Sequence, residues 1–342
     1  MARRWSSVYY RQFLLRRAAQ IAPAILGLLV LIFLVSRVMP GDPVRLALGP
    51  EATREQIEAY RGKLGLDQPL PIQFVRYLGG LLRGDFGESI RTYREVRLDL
   101  LDLLPATIEL VLAALVLAVL IGVPLGILSA IYRDTWVDNL TRLVAVPGVA
   151  MPRFWVGILL QVGLAYQLGL FPIVGRAARP PRKLTGFHLL DALLTGDAGA
   201  LADSALHLAL PAFTLALPTL AQLARITRAS MIDVFRRQYM LVHRAYGVRP
   251  ARLVMRYGLR NGLTSVLTLV GMTYGALIEN AFLVEVVFSW PGLSAYGAGA
   301  VLSKDFNAVV GVTLVVGLSF MLANFVVDVC YALVDPRVRH HS

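Results

Sequence analysis

The sequence has little of what catalytic or metal-binding proteins usually require. Cys330 is the only cysteine in 342 residues, which excludes a disulfide framework or a cysteine-based metal site built within the chain. The nucleotide-binding pattern G-x-x-x-x-G-K-[ST] and the hydrolase patterns H-E-x-x-H and G-x-S-x-G do not occur. The histidines are scattered at His188, His207, His243, His340 and His341. The sequence therefore predicts no nucleophile–base set, no metal site and no ATP site of its own.

Charged residues are also scarce, at 16% of the chain, while 56% of the residues are hydrophobic and the mean hydropathy is +0.62. Ordinary soluble domains carry about a quarter of charged residues. Several apolar stretches exceed the run of about 20 residues that crosses a hydrocarbon core. The composition predicts an all-α integral membrane protein.

The net charge of +12 comes from arginines that gather in the short segments between apolar runs. This distribution is typical of the cytoplasmic loops of membrane proteins, so the basic balance does not indicate nucleic-acid binding. Transmembrane helices are predicted at 20–39, 107–131, 142–168, 206–225, 263–284 and 308–333. Both the N-terminus, 1–19, and the tail, 336–342, are then cytoplasmic. The run at 21–35 resembles a secretory signal, but no A-x-A-like cleavage site follows it, so we expect a retained first helix.

Residues 40–106 form the first extracytoplasmic segment of this topology, ahead of a transmembrane domain at 107–335. Thr53-x-x-Gln56 has the form of a helix-capping box. A second helix is expected after Pro71, with an apolar face of Ile72, Val75, Leu78 and Leu82. The segment is either a lid or scoop over an external vestibule or a structural cap on the helices. The second outer loop, 169–205, is rich in Pro, Gly and Arg, which predicts a partly irregular structure.

The cytoplasmic loop at 228–262 is polar and basic but carries apolar residues at helical spacing. We predict one amphipathic helix with the face Ile232, Phe235, Tyr239, Val242 and Tyr246. Gly247 suits the left-handed position that ends a helix, and Pro250 suits the first turn of the next one. The pattern predicts a helical elbow that offers a rigid knob to a soluble partner.

Arg244-Ala245-Tyr246-Gly247, followed by Arg256-Tyr257-Gly258-Leu259-Arg260-Asn261, resembles the EAA loop of ABC importer permeases. The leading Glu of that motif is absent, since His243 and Arg244 stand there. Tyr257 replaces a frequent His, and Arg260-Asn261 stands where Leu-Pro is common.

Six further motifs in order are similar to those of the dipeptide, oligopeptide and nickel uptake branch of these permeases. They are Pro40-Gly41-Asp42-Pro43, Leu64-Gly65-Leu66-Asp67, Arg83-Gly84-Asp85-Phe86-Gly87, Leu184-Thr185-Gly186, Phe288-Ser289-Trp290-Pro291-Gly292-Leu293 and Asp335-Pro336-Arg337.

This resemblance implies the type I ABC importer fold and a multi-pass subunit of a prokaryotic inner membrane, surrounded by lipid. It implies a second homologous permease, two ATPase subunits that bind ATP and Mg²⁺, and an extracytoplasmic substrate-binding protein. This chain would bind no cofactor and catalyse no reaction, and small peptides are the expected substrates, ahead of nickel complexes, glutathione and sugars. The residues expected to couple to the ATPase are Arg244, Ala245, Tyr246, Gly247, Arg249, Tyr257 and Asn261.

Polar and aromatic residues inside the predicted helices are candidates for the substrate path, because an ionisable group is expensive in the bilayer. Glu279 and Asn280 either face the pore or reach water or an arginine. Phe154 and Trp155 either line the path or pack in the core. Asn324 and Asp328 share one face of the last helix, and we expect them to pair helices rather than to act in translocation. Residues expected at an interface or a helix end are Glu109, Gln161 and His207.

Two other classes of function fit this sequence less well than a permease does. A polytopic membrane enzyme lacks a recognisable set of reacting groups in this sequence. A stand-alone channel or secondary transporter often shows corresponding broken helices in two halves, and the halves here do not correspond. Neither class explains the basic helical elbow.

Overall fold

The computed structural model describes residues 23–34, 52–63 and 67–334. The motifs at 40–43, 64–66 and 335–337 and the predicted termini at 1–19 and 336–342 lie outside these residues. Every regular element in the described part of the chain is helical, which confirms the all-α fold. The described residues form two compact units: the first comprises those up to Leu104 together with Leu293–Phe325, and the second comprises Pro105–Gly292 together with 326–334.

The helices in the described residues follow one another in this order. They are α1 (Pro23–Leu34), α2 (Arg54–Lys63), α3 (Leu70–Leu82), α4 (Val96–Ile131), α5 (Trp136–Ala150), α6 (Arg153–Leu160), α7 (His188–Thr195), α8 (Ala198–Phe235), α9 (Gln238–Ala245), α10 (Pro250–Arg252), α11 (Leu259–Val287), α12 (Leu293–Leu302) and α13 (Phe306–Val334). Two π-helical segments, Gln161–Gln167 after α6 and Leu253–Gly258 before α11, complete them.

In the first unit, the predicted capping box at the start of α2 is present. The Thr53 amide donates to Gln56 Oε1 at 2.9 Å, and the Gln56 amide donates to Thr53 Oγ1 at 3.3 Å. These two bonds satisfy amides that the first turn of a helix leaves without a partner.

The apolar face predicted for α3 is not the face that packs against α1. Ile72, Val75 and Leu82 are exposed. The inward face instead carries Phe74 and Tyr77, whose rings lie 5.2 and 5.7 Å from that of Phe33. Aromatic pairing with α1 therefore decides the orientation of α3, since large rings bury more surface than the aliphatic side chains do.

The core of the first unit lies among α4, α12 and α13. Its buried residues are Val96, Leu100, Leu293, Tyr296, Ala300, Ala308 and Val312. Two buried carboxylates also belong to this unit. Asp99 accepts a hydrogen bond from Tyr296 Oη at 3.1 Å, and Asp305 accepts one from Ser89 Oγ at 2.5 Å. Burial raises the pKa of Tyr296 to about 12, so its hydroxyl remains a proton donor to Asp99 at any physiological pH.

In the second unit, α8 is the central element and packs against α5, α6, α7, α9 and α11. The approach of α4 to α8 depends on two small residues in the pattern G-x-x-x-G. A Cβ on Gly122 would lie 2.7 Å from the Leu220 carbonyl oxygen, and one on Gly126 would lie 2.5 Å from that of Ala224. The helix backbones are therefore in direct contact, as small-residue pairs permit in membrane helices.

Among the described helices, four have the length and hydropathy to cross a membrane. The segments are Val96–Ile131, Ala198–Phe235, Leu269–Val287 and Phe306–Val326. The predicted helix at 142–168 consists of α5, a break at Met151-Pro152, α6 and a π-helical segment. Val96–Ile131 and Ala198–Phe235 are longer than the transmembrane helices predicted at 107–131 and 206–225. The six-helix topology with cytoplasmic termini stays a prediction.

Candidate functional site

The elbow, residues 236–258, has the backbone geometry that its sequence predicts. Tyr246 ends α9, and Gly247 adopts a left-handed φ of +71°. The Val248 amide donates to the His243 carbonyl at 3.1 Å, and the Gly247 amide donates to that of Arg244 at 3.0 Å. This pair of bonds is the Schellman motif, which closes a helix end by satisfying its last carbonyls.

Pro250 then occupies the first position of α10 after an extended Arg249 with ψ 136°. Its missing N–H costs nothing there, because the first turn of a helix has no partner for it. Both local predictions for the elbow are confirmed. The chain therefore reverses through a short turn with fixed hydrogen bonds.

The inner face of the elbow is packed against the helix ends from which it emerges. Met240, Val234 and Leu253 are buried there, with partly buried residues around them. The rings of His243 and Tyr257 stack with centroids 4.0 Å apart. These contacts hold α9 onto α8 and the π-helical segment.

The apolar face predicted for a single helix from 232 to 246 is only partly correct. Val242 and Tyr246 are exposed, and Met240 is buried in their place. The reason is a break between α8 and α9, where Arg237 is extended with ψ 145°. The break rotates α9 about its axis, so that the helical register of α8 does not continue.

The outer face of the elbow combines apolar and basic side chains. Tyr246 is 83% exposed and Leu241 is 54% exposed. Exposed arginines surround them, at Arg236, Arg237, Arg244, Arg249, Arg252 and Arg256. Asp233 is the one acidic residue between 229 and 262 of the sequence, so this face is strongly positive. We call Leu241, Val242 and 244–249 the elbow tip.

The seven residues predicted to couple to an ATPase divide into two groups in the structure. Five of them lie on the exposed elbow tip: Arg244, Ala245, Tyr246, Gly247 and Arg249. The other two act on the elbow itself, since Tyr257 stacks on His243, and Asn261 Nδ2 donates to Tyr239 Oη at 2.9 Å. Tyr257 and Asn261 thus stabilise the base of the elbow.

The residues predicted for the substrate path lie on α6 and α11, which pack against each other. Phe154 and Trp155 are exposed in this chain, which does not fit the alternative of core packing. Glu279 is exposed and interacts electrostatically with Arg153 of α6. Asn280 donates to the Ala276 carbonyl of its own helix at 2.6 Å. A charged pair and two aromatic rings are therefore available on neighbouring helices.

A buried ion pair clamps the second outer loop, whose composition predicts a partly irregular structure. Arg176 Nη2 lies 2.6 Å from Glu109 Oε2, and both side chains are less than a tenth exposed. The same guanidinium donates to the Gly186 carbonyl at 2.8 Å and lies over the Trp290 ring. Glu109 also accepts from the Leu189 amide at 2.8 Å. Glu109 is therefore more than a helix-end residue, since it joins α4 to α7 and to the loop.

The loop before α7 is fixed by Asp191, whose side chain is fully buried. Its carboxylate accepts from the amides of Leu184, Thr185 and Gly186 and from Thr185 Oγ1. Burial by itself raises the pKa of Asp191, but these hydrogen bonds outweigh that effect and lower the pKa to about 2. The predicted motif Leu184-Thr185-Gly186 is thus a turn organised around one carboxylate.

Sequence reasoning missed two further buried carboxylates of the second unit. Asp138 accepts two hydrogen bonds from Arg228, each 2.7 Å long. Glu285 accepts from Thr107 Oγ1 at 2.6 Å and occupies the space beside Gly292. The available signal was an acidic residue among arginines or inside an apolar run, but no spacing in the sequence identified the partners.

Two family models cover most of the chain. Residues 122–340 match the binding-protein-dependent transport system inner membrane component. Residues 10–111 match the N-terminal part of a binding-protein-dependent transport system membrane component.

Curated relatives match along nearly the full length. The probable D,D-dipeptide transport system permease protein of Escherichia coli K12 is 42% identical, over 91% of this chain and 93% of its own. The di/tripeptide transport system permease protein of Pseudomonas aeruginosa is 39% identical, over 96% and 98%. The glutathione transport system permease protein of Salmonella paratyphi A is 36% identical, over 96% and 99%. A chain of the inward-facing MetNI methionine ABC transporter aligns over 67% of this chain and 93% of its own, with 16% identity and a TM-score of 0.49.

Sequence identity of 42% over 91% of this chain, together with the two matching family models, shows that this chain is homologous to these permeases. The chain belongs to the inner-membrane components of binding-protein-dependent transport systems, the permease subunits of ABC importers.

Proposed function

We propose that this permease carries small peptides into the cell and that its elbow tip receives the ATPase subunit that drives transport. The observation that carries the proposal is the elbow tip itself. An exposed tyrosine and leucine lie among exposed arginines, on a turn closed by the two hydrogen bonds of a Schellman motif. Aromatic and arginine side chains of this kind supply much of the binding energy at protein interfaces.

The chemistry of the elbow tip defines the surface that it fits. Its apolar residues require a hydrophobic cleft, and its arginines require acidic residues at the rim of that cleft. A rigid elbow is needed because it must transmit a displacement. When two ATPase subunits close on ATP, a rigid-body shift of the docked elbow moves α8 and α11, which flank it.

The remaining partners follow from the same proposal. A second homologous permease completes the path, two ATPase subunits bind ATP and Mg²⁺, and an extracytoplasmic binding protein delivers the substrate. This chain itself is a non-catalytic subunit, with both termini in the cytoplasm. Its sequence contains no Walker A pattern, which supports nucleotide binding by the ATPase subunits.

Peptides are the proposed substrate class because the three relatives above are named for D,D-dipeptides, di- and tripeptides, and glutathione. All three are short amide-linked molecules with charged ends. Glu279 and Arg153 on adjacent helices offer one charge of each sign to such a solute. Phe154 and Trp155 offer exposed rings beside them.

The test uses the complex of this chain with its second permease, its ATPase subunits and its binding protein, reconstituted in vesicles. Tyr246→Ala removes the most exposed aromatic ring of the elbow tip. We expect assembly or stimulation of ATP hydrolysis by the peptide-loaded binding protein to fall about tenfold, which corresponds to a loss of roughly 1.4 kcal/mol at a hot spot.

Tyr132→Ala is the matched control, because Tyr132 is also exposed but lies outside the elbow. It should leave stimulation unchanged. Equal behaviour of the two variants contradicts docking at the elbow tip. Peptide uptake that persists without ATP hydrolysis, driven by a proton gradient, contradicts the importer mechanism and supports a secondary transporter.

A further inference from the structure

The Asp138 hub, formed by Ser129, Asp134, Asp138, Arg142 and Arg228, lies at the base of the elbow. The Asp138 carboxylate accepts hydrogen bonds from Ser129 Oγ at 2.5 Å and from the Asp134 amide at 3.0 Å. Arg142 Nη2 donates to it at 2.8 Å, and Arg228 donates from Nε and Nη2, each at 2.7 Å. One buried side chain therefore accepts hydrogen bonds from α4, from the turn that follows it, from α5 and from α8.

The number of donors explains why a carboxylate is stable in this position. Asp138 has no exposed side-chain surface, and an isolated buried charge would cost far more than a folded protein tolerates. Hydrogen bonds from Arg228 hold the pKa of Asp138 well below its usual range, so the group is ionised at every physiological pH. The bidentate contact also fixes direction, because the planar guanidinium fits a carboxylate in a single orientation.

Arg228 connects this hub to the elbow. It lies on the last two turns of α8, which ends at Phe235, and α9 begins at Gln238. At 1.5 Å per residue, the Cα of Arg228 lies about 10 Å along α8 from the end of that helix. A displacement of the elbow therefore reaches Arg228 through two turns of continuous helix.

The other members of the hub belong to α4 and α5. Ser129 is on the last turn of α4, while Asp138 and Arg142 are on the first two turns of α5. The connecting turn places Asp134 at φ +61°, a left-handed conformation that aspartate adopts more readily than most residues. This conformation points the Asp134 amide at the carboxylate of Asp138.

Close backbone packing continues from the hub along the same helices. Gly126 of α4 lies against Ala224 and Thr227 of α8, and Gly148 of α5 lies against Leu217 of α8. The helices α4, α5 and α8 are thus joined at the hub by charge and beyond it by direct contact. On the opposite side, Ser230 Oγ donates to the Gly262 carbonyl of α11 at 2.9 Å.

We propose that the Asp138 hub is the joint through which a displacement of the elbow passes to α4 and α5, and that Asp138 and Arg228 are positioning residues for energy coupling. This inference rests on the proposed docking of an ATPase at the elbow tip. The hub makes no contact with nucleotide, and its role is to move α5, and α6 after it, together with α8. Without the hub, the ATPase subunits still dock and hydrolyse ATP, but the resulting displacement of the elbow does not open the substrate path.

The first experiment measures peptide uptake per ATP hydrolysed, with radiolabelled dialanine as the probe, in vesicles that contain the full complex. Asp138→Asn keeps the size of the side chain and removes its charge. We expect assembly and basal ATP hydrolysis near those of the parent, with uptake per ATP lower by about tenfold, within the usual range of coupling between sites. Arg228→Lys keeps the charge and loses the bidentate contact, so its uptake per ATP should lie between those two values.

Asp134→Asn is the matched control, because it lies in the same turn and donates to the Asp138 carboxylate through its backbone amide, which the substitution keeps, while its side chain pairs with Arg133. Its uptake per ATP should equal that of the parent. An unchanged ratio in Asp138→Asn overturns the proposal. So does a loss of hydrolysis and uptake in equal proportion, since that is the signature of a structural defect alone. If Asp138→Asn does not assemble, an unchanged ratio in Arg228→Lys overturns it.

A second experiment measures the movement directly. Spin labels at Leu140→Cys and Gln238→Cys, both exposed sites outside the elbow tip, are introduced with Cys330→Ala. With the hub intact, the distance between the labels should be the same before and after the ATPase subunits are trapped with ADP and vanadate, and in Asp138→Asn it should change. A change in the parent itself contradicts a rigid joint. Should Tyr246→Ala be without effect, the proposed function fails; should only the Asp138 variants be without effect, this inference alone fails.

Discussion

Substitution of Gly247 tests the geometry of the elbow in a way that separates conformation from packing. Gly247 has a φ of +71°, and a Cβ added there would meet no atom within 4 Å. The cost of a side chain is therefore conformational. Alanine should destabilise the turn by about 1 kcal/mol, and valine by about 2 kcal/mol because of its branched Cβ. Asparagine tolerates the left-handed region and should be close to neutral.

The assay is hydrogen–deuterium exchange of the Val248 amide, which donates to the His243 carbonyl. A destabilisation of about 1.4 kcal/mol raises the open population tenfold, so exchange should accelerate in the order Gly, Asn, Ala, Val. Gly79→Ala is the control, since Gly79 also has open space around it but no left-handed φ. Equal exchange in Gly247→Val and the parent would refute the reasoning.

Three other substitutions test the rest of the second unit. Glu109→Gln leaves the Arg176 guanidinium buried without its counter-charge, so we expect a loss of roughly 3 kcal/mol, measured as a lower melting temperature in detergent. The pKa of Asp191 is about 2 in the folded protein and near 3.9 in the unfolded chain, so the ionised carboxylate stabilises its loop fully at pH values above 3.9. This stabilisation is lost as the pH falls through about 2. Asp191→Asn should remove it at neutral pH, which should appear as faster proteolysis between 182 and 188. Gly126→Val should prevent the close approach of α4 and α8, because its Cβ would lie 2.5 Å from the Ala224 carbonyl, and the folded yield should collapse.

Two control substitutions accompany these three, one in the second outer loop and one in the π-helical segment after α6. Arg179→Gln removes an exposed arginine near Arg176 and should not alter the melting temperature. Gly163→Ala adds a Cβ that meets nothing within 4 Å, so its folded yield should match the parent. For Asp191→Asn, a proteolysis rate that stays flat from pH 7 to pH 2 in both proteins would show that the carboxylate does not hold the loop.

Local rules predicted the features that depend on neighbouring residues alone. The capping box at Thr53, the left-handed Gly247 and the helix start at Pro250 were all found where the sequence places them. Each is determined by backbone conformation and hydrogen bonds within about five residues. The helical character of the long apolar stretches follows with equal certainty from composition.

Orientation and long-range pairing were not predictable in this way. The face of α3 depends on Phe33, from a helix far earlier in the chain, and the face of α9 depends on a break at Arg237 that no periodicity reveals. Asp138 and Arg228 are 90 positions apart, and no single sequence specifies that they meet. The buried carboxylates, whose partners come from other helices, are for this reason the part of the site that only the structure supplied.

The most direct test of the central claim is cysteine cross-linking of the elbow tip to an ATPase subunit. Cys330 is the only native cysteine, so one substitution, Cys330→Ala, provides the background. Tyr246→Cys in that background should cross-link to the ATPase subunit in the assembled complex. Tyr166→Cys, which is 76% exposed against 83% for Tyr246 but lies in the π-helical segment after α6, should not. Absence of a cross-link from Tyr246→Cys, or equal cross-linking from both sites, would contradict docking of the ATPase on the elbow.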